Sequence, residues 1–69
     1  MFVKICRKDG IEIVYECKTV TWNPYEPKKI NLCIDRMDGE RVIYEIDINN
    51  TVGVYYMSDT GATIDSKRF

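Results

Sequence analysis

Eleven carboxylates, three thiols and no histidine are the chemistry-bearing residues of this 69-residue chain. Two neighbouring carboxylates can divide acid and base roles when their surroundings push their affinities for protons apart. Glu12 and Glu16, however, alternate with apolar residues, as do Glu45 and Asp47. That spacing writes the solvated face of a half-buried strand. Asp35, Asp38 and Glu40 surround Asp38-Gly39, where a hairpin tip would collect oxygen ligands. Hard cations need convergent oxygens, which one hairpin seldom supplies, and acidic tips serve solubility. Without histidine there is no Ser-His-Asp or Cys-His set and no Cys₂His₂ zinc site. Cys6, Cys17 and Cys33 are odd in number and form no CxxC pair, which reads as reduced, partly buried thiols of a cytoplasmic protein. No glycine-rich phosphate loop is present. The expectation is a protein that is not an enzyme and holds no metal or cofactor.

Two short motifs remain. Asn49-Asn50-Thr51 is a glycosylation sequon. The early charges of Lys4, Arg7 and Lys8 do not resemble a secretory leader, so a turn is the expected reading. Asp59-Thr60-Gly61-Ala62 resembles the catalytic Asp-Thr-Gly of retroviral-type aspartic proteases. The resemblance implies a homodimer in which two Asp59 residues share a proton and activate water. That family places an apolar strand end before the Asp, where this chain has Ser58, and only eight residues follow Gly61. Ser-Asp-Thr-Gly between two strands is equally a turn, and the turn is the expectation.

Binding chemistry is better represented. Trp22, Asn23, Tyr25, Lys28 and Lys29 belong to a segment stiffened by Pro24 and Pro27. Aromatic residues beside lysines are typical interface anchors, and a restricted loop loses less entropy on binding. Trp22 and Tyr25 would equally serve to cap an open end of the core. Val54, Tyr55, Tyr56 and Met57 are apolar on both faces of one strand, which demands either a central place in a barrel or a second subunit. With Phe69 they are the expected oligomer interface. The second reading is a nucleic-acid-binding small β-barrel using Lys4, Arg7, Lys8, Lys28 and Lys29, with Trp22 and Tyr25 as stacking platforms. A net charge of −1 and a pI near 5.3 weigh against it.

The elements that must position these residues are strands. Nine Ile, six Val and five Thr make 20 of the 69 residues, whereas Leu and Ala occur once each and Gln not at all. Strands are expected around Val3–Cys6, Ile11–Trp22, Ile30–Ile34, Val42–Ile48, Val52–Met57 and Ala62–Asp65, with Ser66–Phe69 fraying. Asp9-Gly10 and Asp38-Gly39 supply hairpin turns whose central residues take positive φ. Ile11, Ile13, Tyr15 and Cys17 share one face of the second strand, but Val20 and Trp22 continue out of phase. That slip predicts a β-bulge near Lys18-Thr19. The predicted fold is one all-β domain, residues 1–69: a small antiparallel meander of five or six strands curled into a barrel or half-barrel. It resembles the SH3-like and Sm-like small-barrel pattern in architecture alone. No apolar run approaches the roughly 20 residues of a membrane helix. So small a core wants a further stabiliser, and a homo-oligomer, a dimer first, is the expectation. The function expected is non-catalytic binding of a host protein or small ligand, as phage or mobile-element accessory proteins do.

Overall fold

A computed structural model describes residues 1–23 and 30–69, with Asn23 and Ile30 placed by backbone alone. Six strands form one antiparallel sheet: β1 (Phe2–Arg7), β2 (Glu12–Asn23), β3 (Ile30–Arg36), β4 (Arg41–Ile46), β5 (Thr51–Met57) and β6 (Thr63–Arg68). Their order is β4-β3-β2-β1-β5-β6. No helix of the described residues is long and apolar enough to cross a membrane.

Strand β2 serves both halves of the sheet. Its first part pairs with β1 (Val3 opposite Tyr15, Ile5 opposite Ile13) and its second part with β3 (Val20 opposite Ile34, Trp22 opposite Leu32). Between them the register shifts: Cys17 faces Arg36 while Thr19 faces Asp35, so Lys18 is the extra residue. The bulge lies where the broken alternation predicts it. An added residue bends a strand and raises its twist, so the second half of β2 can turn over the first.

The link from β4 to β5 makes that curl obligatory. In a flat sheet these strands would lie four interstrand steps apart, about 19 Å. Only Asp47–Asn50 joins them, closed by Asn50 N–H donating to the Asp47 carbonyl over 3.1 Å. A turn of this type holds its ends within roughly 7 Å. The sheet therefore folds back as a half-barrel without closing. Lys8 N–H donates to the Asn50 carbonyl at 2.8 Å and ties this link to the β1–β2 hairpin.

The core lies inside the curl. Val3, Ile5, Val54 and Tyr56 come from one half and Leu32, Ile34 and Ile46 from the other, with Cys17 at the bend. Met1, Ile13, Tyr15, Val20, Trp22, Val42, Tyr44 and Phe69 pack around them. Tyr15 meets Tyr44 edge-on at 6.4 Å, and Trp22 meets Tyr56 at 6.1 Å.

Three hairpins use one turn. Arg7, Arg36 and Ser58 each accept a hydrogen bond from the glycine three residues on and donate one to the carbonyl four residues on. Gly10, Gly39 and Gly61 have φ of 88°, 89° and 86°, and no other residue type has positive φ among the described residues. These are three-residue loops in which glycine alone takes the left-handed conformation. The expected positive φ at both Asp and Gly is thus corrected. Each Asp keeps negative φ, and in two turns its carboxylate accepts the N–H two residues on: Asp9 from Ile11 and Asp38 from Glu40, each at 3.0 Å.

Ile11, expected on one face with Ile13, Tyr15 and Cys17, precedes β2 and is 51% exposed, and the ends of β4 and β6 also differ from expectation. β4 stops at Ile46 because the Asp47 carboxylate captures Asn49 N–H at 3.0 Å and Asn50 Nδ2 at 2.7 Å, an Asx turn that competes with the ladder. β6 does not fray after Asp65 but runs to Arg68, and Phe69 N–H still donates to the Val52 carbonyl at 3.0 Å.

Candidate functional site

The continuation of β6 builds the corner that carries the binding chemistry. Beyond the register shift at Ile64, Asp65 lies opposite Tyr56 and Lys67 opposite Val54, on the inner face of the sheet. Lys67 Nζ sits 4.9 Å from the centre of the Trp22 ring and 5.9 Å from that of Phe69. A cation over indole gains from the ring quadrupole, by about 0.5–1 kcal/mol at an exposed site. Trp22 and Phe69 are half-buried, whereas every residue of β6 is exposed. The corner thus offers an indole supported by the core, a phenyl ring and a lysine reaching both.

Beneath the corner lies Tyr56, 8% exposed, whose hydroxyl has no hydrogen-bond partner among the described residues. Burial, aided by the nearby Asp65 charge, pushes its pKa up to about 12, so the phenol stays neutral. Burial likewise raises the Cys17 thiol. Cys6 and Cys33 are half-buried, and all three cysteines are free.

The expected site residues divide. Trp22 stands in the corner. Asn23 pairs by backbone with Asn31, and Tyr25, Lys28 and Lys29 lie outside the described residues. Of the expected oligomer interface, Val54 and Tyr56 lie in the chain's own core, because the curl packs the inner face of β5 in one cluster with Leu32, Ile34 and Ile46. Their surface is spent within the fold, which corrects their place in that set. Tyr55, Met57 and Phe69 keep accessible surface. Lys4 lies on the outer face, 5.8 Å over the Tyr55 ring, and Arg7 pairs with Asp9 at 2.7 Å at the far end of β1. These basic residues do not share a surface with Trp22.

The six aspartates all accept hydrogen bonds. Asp35 accepts from Thr19 Oγ1 at 2.9 Å and from Arg41 Nε at 2.8 Å, in a row across β2, β3 and β4. The Arg41 hydrogen bond, then that of Thr19, holds the Asp35 carboxyl below its usual range. Asp38 caps Glu40, and no group of three ligating side chains gathers among the described residues. Asp59 accepts from the Met1 amine, and Ser58 Oγ lies 2.9 Å from Thr60 Oγ1 and accepts from Ala62 N–H at 3.2 Å. The Asp-Thr-Gly letters therefore form a hairpin turn.

Sequence reasoning misses two features. Lys67 falls in the expected fraying tail, although Asp65, Lys67 and Phe69 continue a period-2 alternation that could have placed them on one face. A shallow cleft of about 160 Å³ at one mouth of the half-barrel is lined by Arg7, Tyr44, Glu45, Asp47, Asn50 and Thr51. Only the curl, which brings the β4–β5 link beside the end of β1, gathers these residues, so no local pattern marks them. No protein-family model, curated protein or solved structure matches the chain.

Proposed function

We propose that this protein is a non-catalytic binding domain that works as a homo-oligomer and takes up another protein at the corner of Trp22, Lys67 and Phe69. The observation that carries the reading is Lys67 held over Trp22 and Phe69 on an exposed strand. Interface hot spots favour aromatic anchors held in place before binding, with a polar rim around them. Trp22 is braced by Tyr56, so little side-chain freedom is left to lose. The free thiols fit a reducing compartment such as the cytoplasm.

The test compares wild type with Lys67→Glu and Lys4→Glu as immobilised baits in extract of the source cells. A protein retained by wild type and Lys4→Glu, and lost with Lys67→Glu, supports the reading. Its purified form must then shift the emission of Trp22, the chain's single tryptophan. Equal retention by all three baits, or an unchanged emission, overturns it.

A further inference from the structure

The sheet has two edge strands, β4 and β6, and they are built differently. β6 carries the devices that keep an edge from pairing. Ile64 is a bulge, since Tyr56 faces Asp65 while Met57 faces Thr63. Asp65 and Lys67 put charge on its inner face. Phe69 N–H bonds to β5, so the alternation turns Ser66 N–H toward the free edge. There it already donates to its neighbour, Asp65 Oδ1, at 2.8 Å.

Among the described residues β4 shows no bulge and no inward-facing charge. It pairs with β3 in unbroken register from Ile30–Ile46 to Asp35–Arg41, and its inner face is Val42, Tyr44 and Ile46. Arg36 N–H donates to the Glu40 carbonyl, so even-numbered residues of β4 bond to β3 and the backbone of Arg41, Ile43 and Glu45 faces the free edge. The side chains of those three are exposed on the outer face, Ile43 by 55%.

Arg41-Val42-Ile43-Tyr44-Glu45 is complementary to itself when turned end for end. An antiparallel partner centred on Ile43 sets Ile43 against Ile43, Arg41 against Glu45 twice, and Val42 against Tyr44 twice. This register uses the backbone groups that face the edge. Opposite charges directly across an antiparallel pair stabilise it, and like charges destabilise it. We propose that two copies of this chain pair through β4, about a two-fold axis at Ile43, into a closed dimer with a continuous twelve-stranded sheet. The proposal rests on the homo-oligomeric part of the function proposed above and gives it a surface. That surface is separate from the Trp22 corner.

One strand pair buries less than the roughly 1,200 Å² of a standard interface, so the dimer belongs to the weak class, with dissociation in the range of about 10–100 µM. Sedimentation velocity from 5 µM to 1 mM tests it. Ile43→Lys sets two ammonium groups against each other and should weaken the dimer at least about tenfold. Arg41→Glu and Glu45→Arg should each be monomeric alone. Their mixture should restore a dimer, because the carboxylate introduced at position 41 then faces the guanidinium introduced at position 45, and the unchanged Glu45 and Arg41 face each other. If Arg41→Glu does not fold once Asp35 loses its partner, as circular dichroism would show, Ile43→Lys and Glu45→Arg decide. A monomer at every concentration overturns the dimer and the oligomeric part of the function together. A dimer indifferent to Ile43→Lys overturns only the surface. Mass growing past the dimer also overturns it, since a two-fold pairing through β4 closes at two copies.

Discussion

Strand β4 offers a matched pair of isoleucines on opposite faces. Ile46 is 4% exposed in the core and Ile43 is 55% exposed on the outer face. Burying an isoleucine side chain contributes about 1.5–3 kcal/mol by transfer, and truncation to alanine leaves a cavity that raises the loss to about 2–5 kcal/mol. Ile46→Ala should therefore cost about 2–4 kcal/mol. Ile43 has less than half of that surface to lose and leaves a gap open to water, so Ile43→Ala should cost under about 1 kcal/mol. For a domain of this size a loss of about 1 kcal/mol moves Tm by about 4–8 °C. The two variants should then differ by at least about 4 °C, and by about 10–20 °C at mid-range values. Thermal and urea unfolding, followed by far-ultraviolet circular dichroism and Trp22 emission, measure this at low micromolar concentration, where self-association adds nothing to either variant. A slip of one residue in the β3–β4 register would exchange the two faces. Equal losses, or a larger loss for Ile43→Ala, would refute the assigned register and the curl built on it.

Three further outcomes follow from the same geometry. Gly10→Ala, Gly39→Ala and Gly61→Ala should each lose about 1–2 kcal/mol through backbone strain, because an added Cβ meets nothing within 4 Å at any of the three; Gly39→Asn, which tolerates positive φ better, should lose less in the same urea titration. Ultraviolet titration should find one of the five tyrosines ionising near pH 12, and Tyr56→Phe should remove it. The pKa is raised in the fold, so the stability it reflects is complete below the ordinary phenol value near 10 and is lost as pH rises toward 12. Thiol labelling of the native protein should modify Cys6 and Cys33 first and reach Cys17 only on unfolding; prompt modification of all three would show that the bend of β2 is open.

Much of this fold is legible in the residues. Period-2 alternation places the strands, because a pleated chain must send successive side chains to opposite faces. The out-of-phase step from Cys17 to Val20 gives the bulge, since only an extra residue restores both apolar faces to one core. The hairpins announce themselves through glycines that alone tolerate positive φ. What depends on the curl is not legible. The cleft joins residues from β1, β4 and the β4–β5 link that are distant in sequence. Val54 and Tyr56 are indistinguishable from a subunit interface until the curl is known to pack them with Leu32, Ile34 and Ile46. Lys67 reads as a charged tail residue until its strand is seen to bring it over Trp22.

The central claim is that β6 persists to Arg68 and holds Lys67 over Trp22 and Phe69. Proton nuclear magnetic resonance tests it most directly. The ε-methylene protons of Lys67 should be shifted upfield by the aromatic rings, with Overhauser contacts to Trp22 and Phe69, and Trp22→Leu should abolish most of the shift. The Phe69 amide, bonded to the Val52 carbonyl, should exchange slowly with solvent. Lys67 resonances at unfolded-chain positions, with fast exchange at Phe69, would contradict the account. They would return β6 to a frayed tail and leave the proposed binding corner without its lysine.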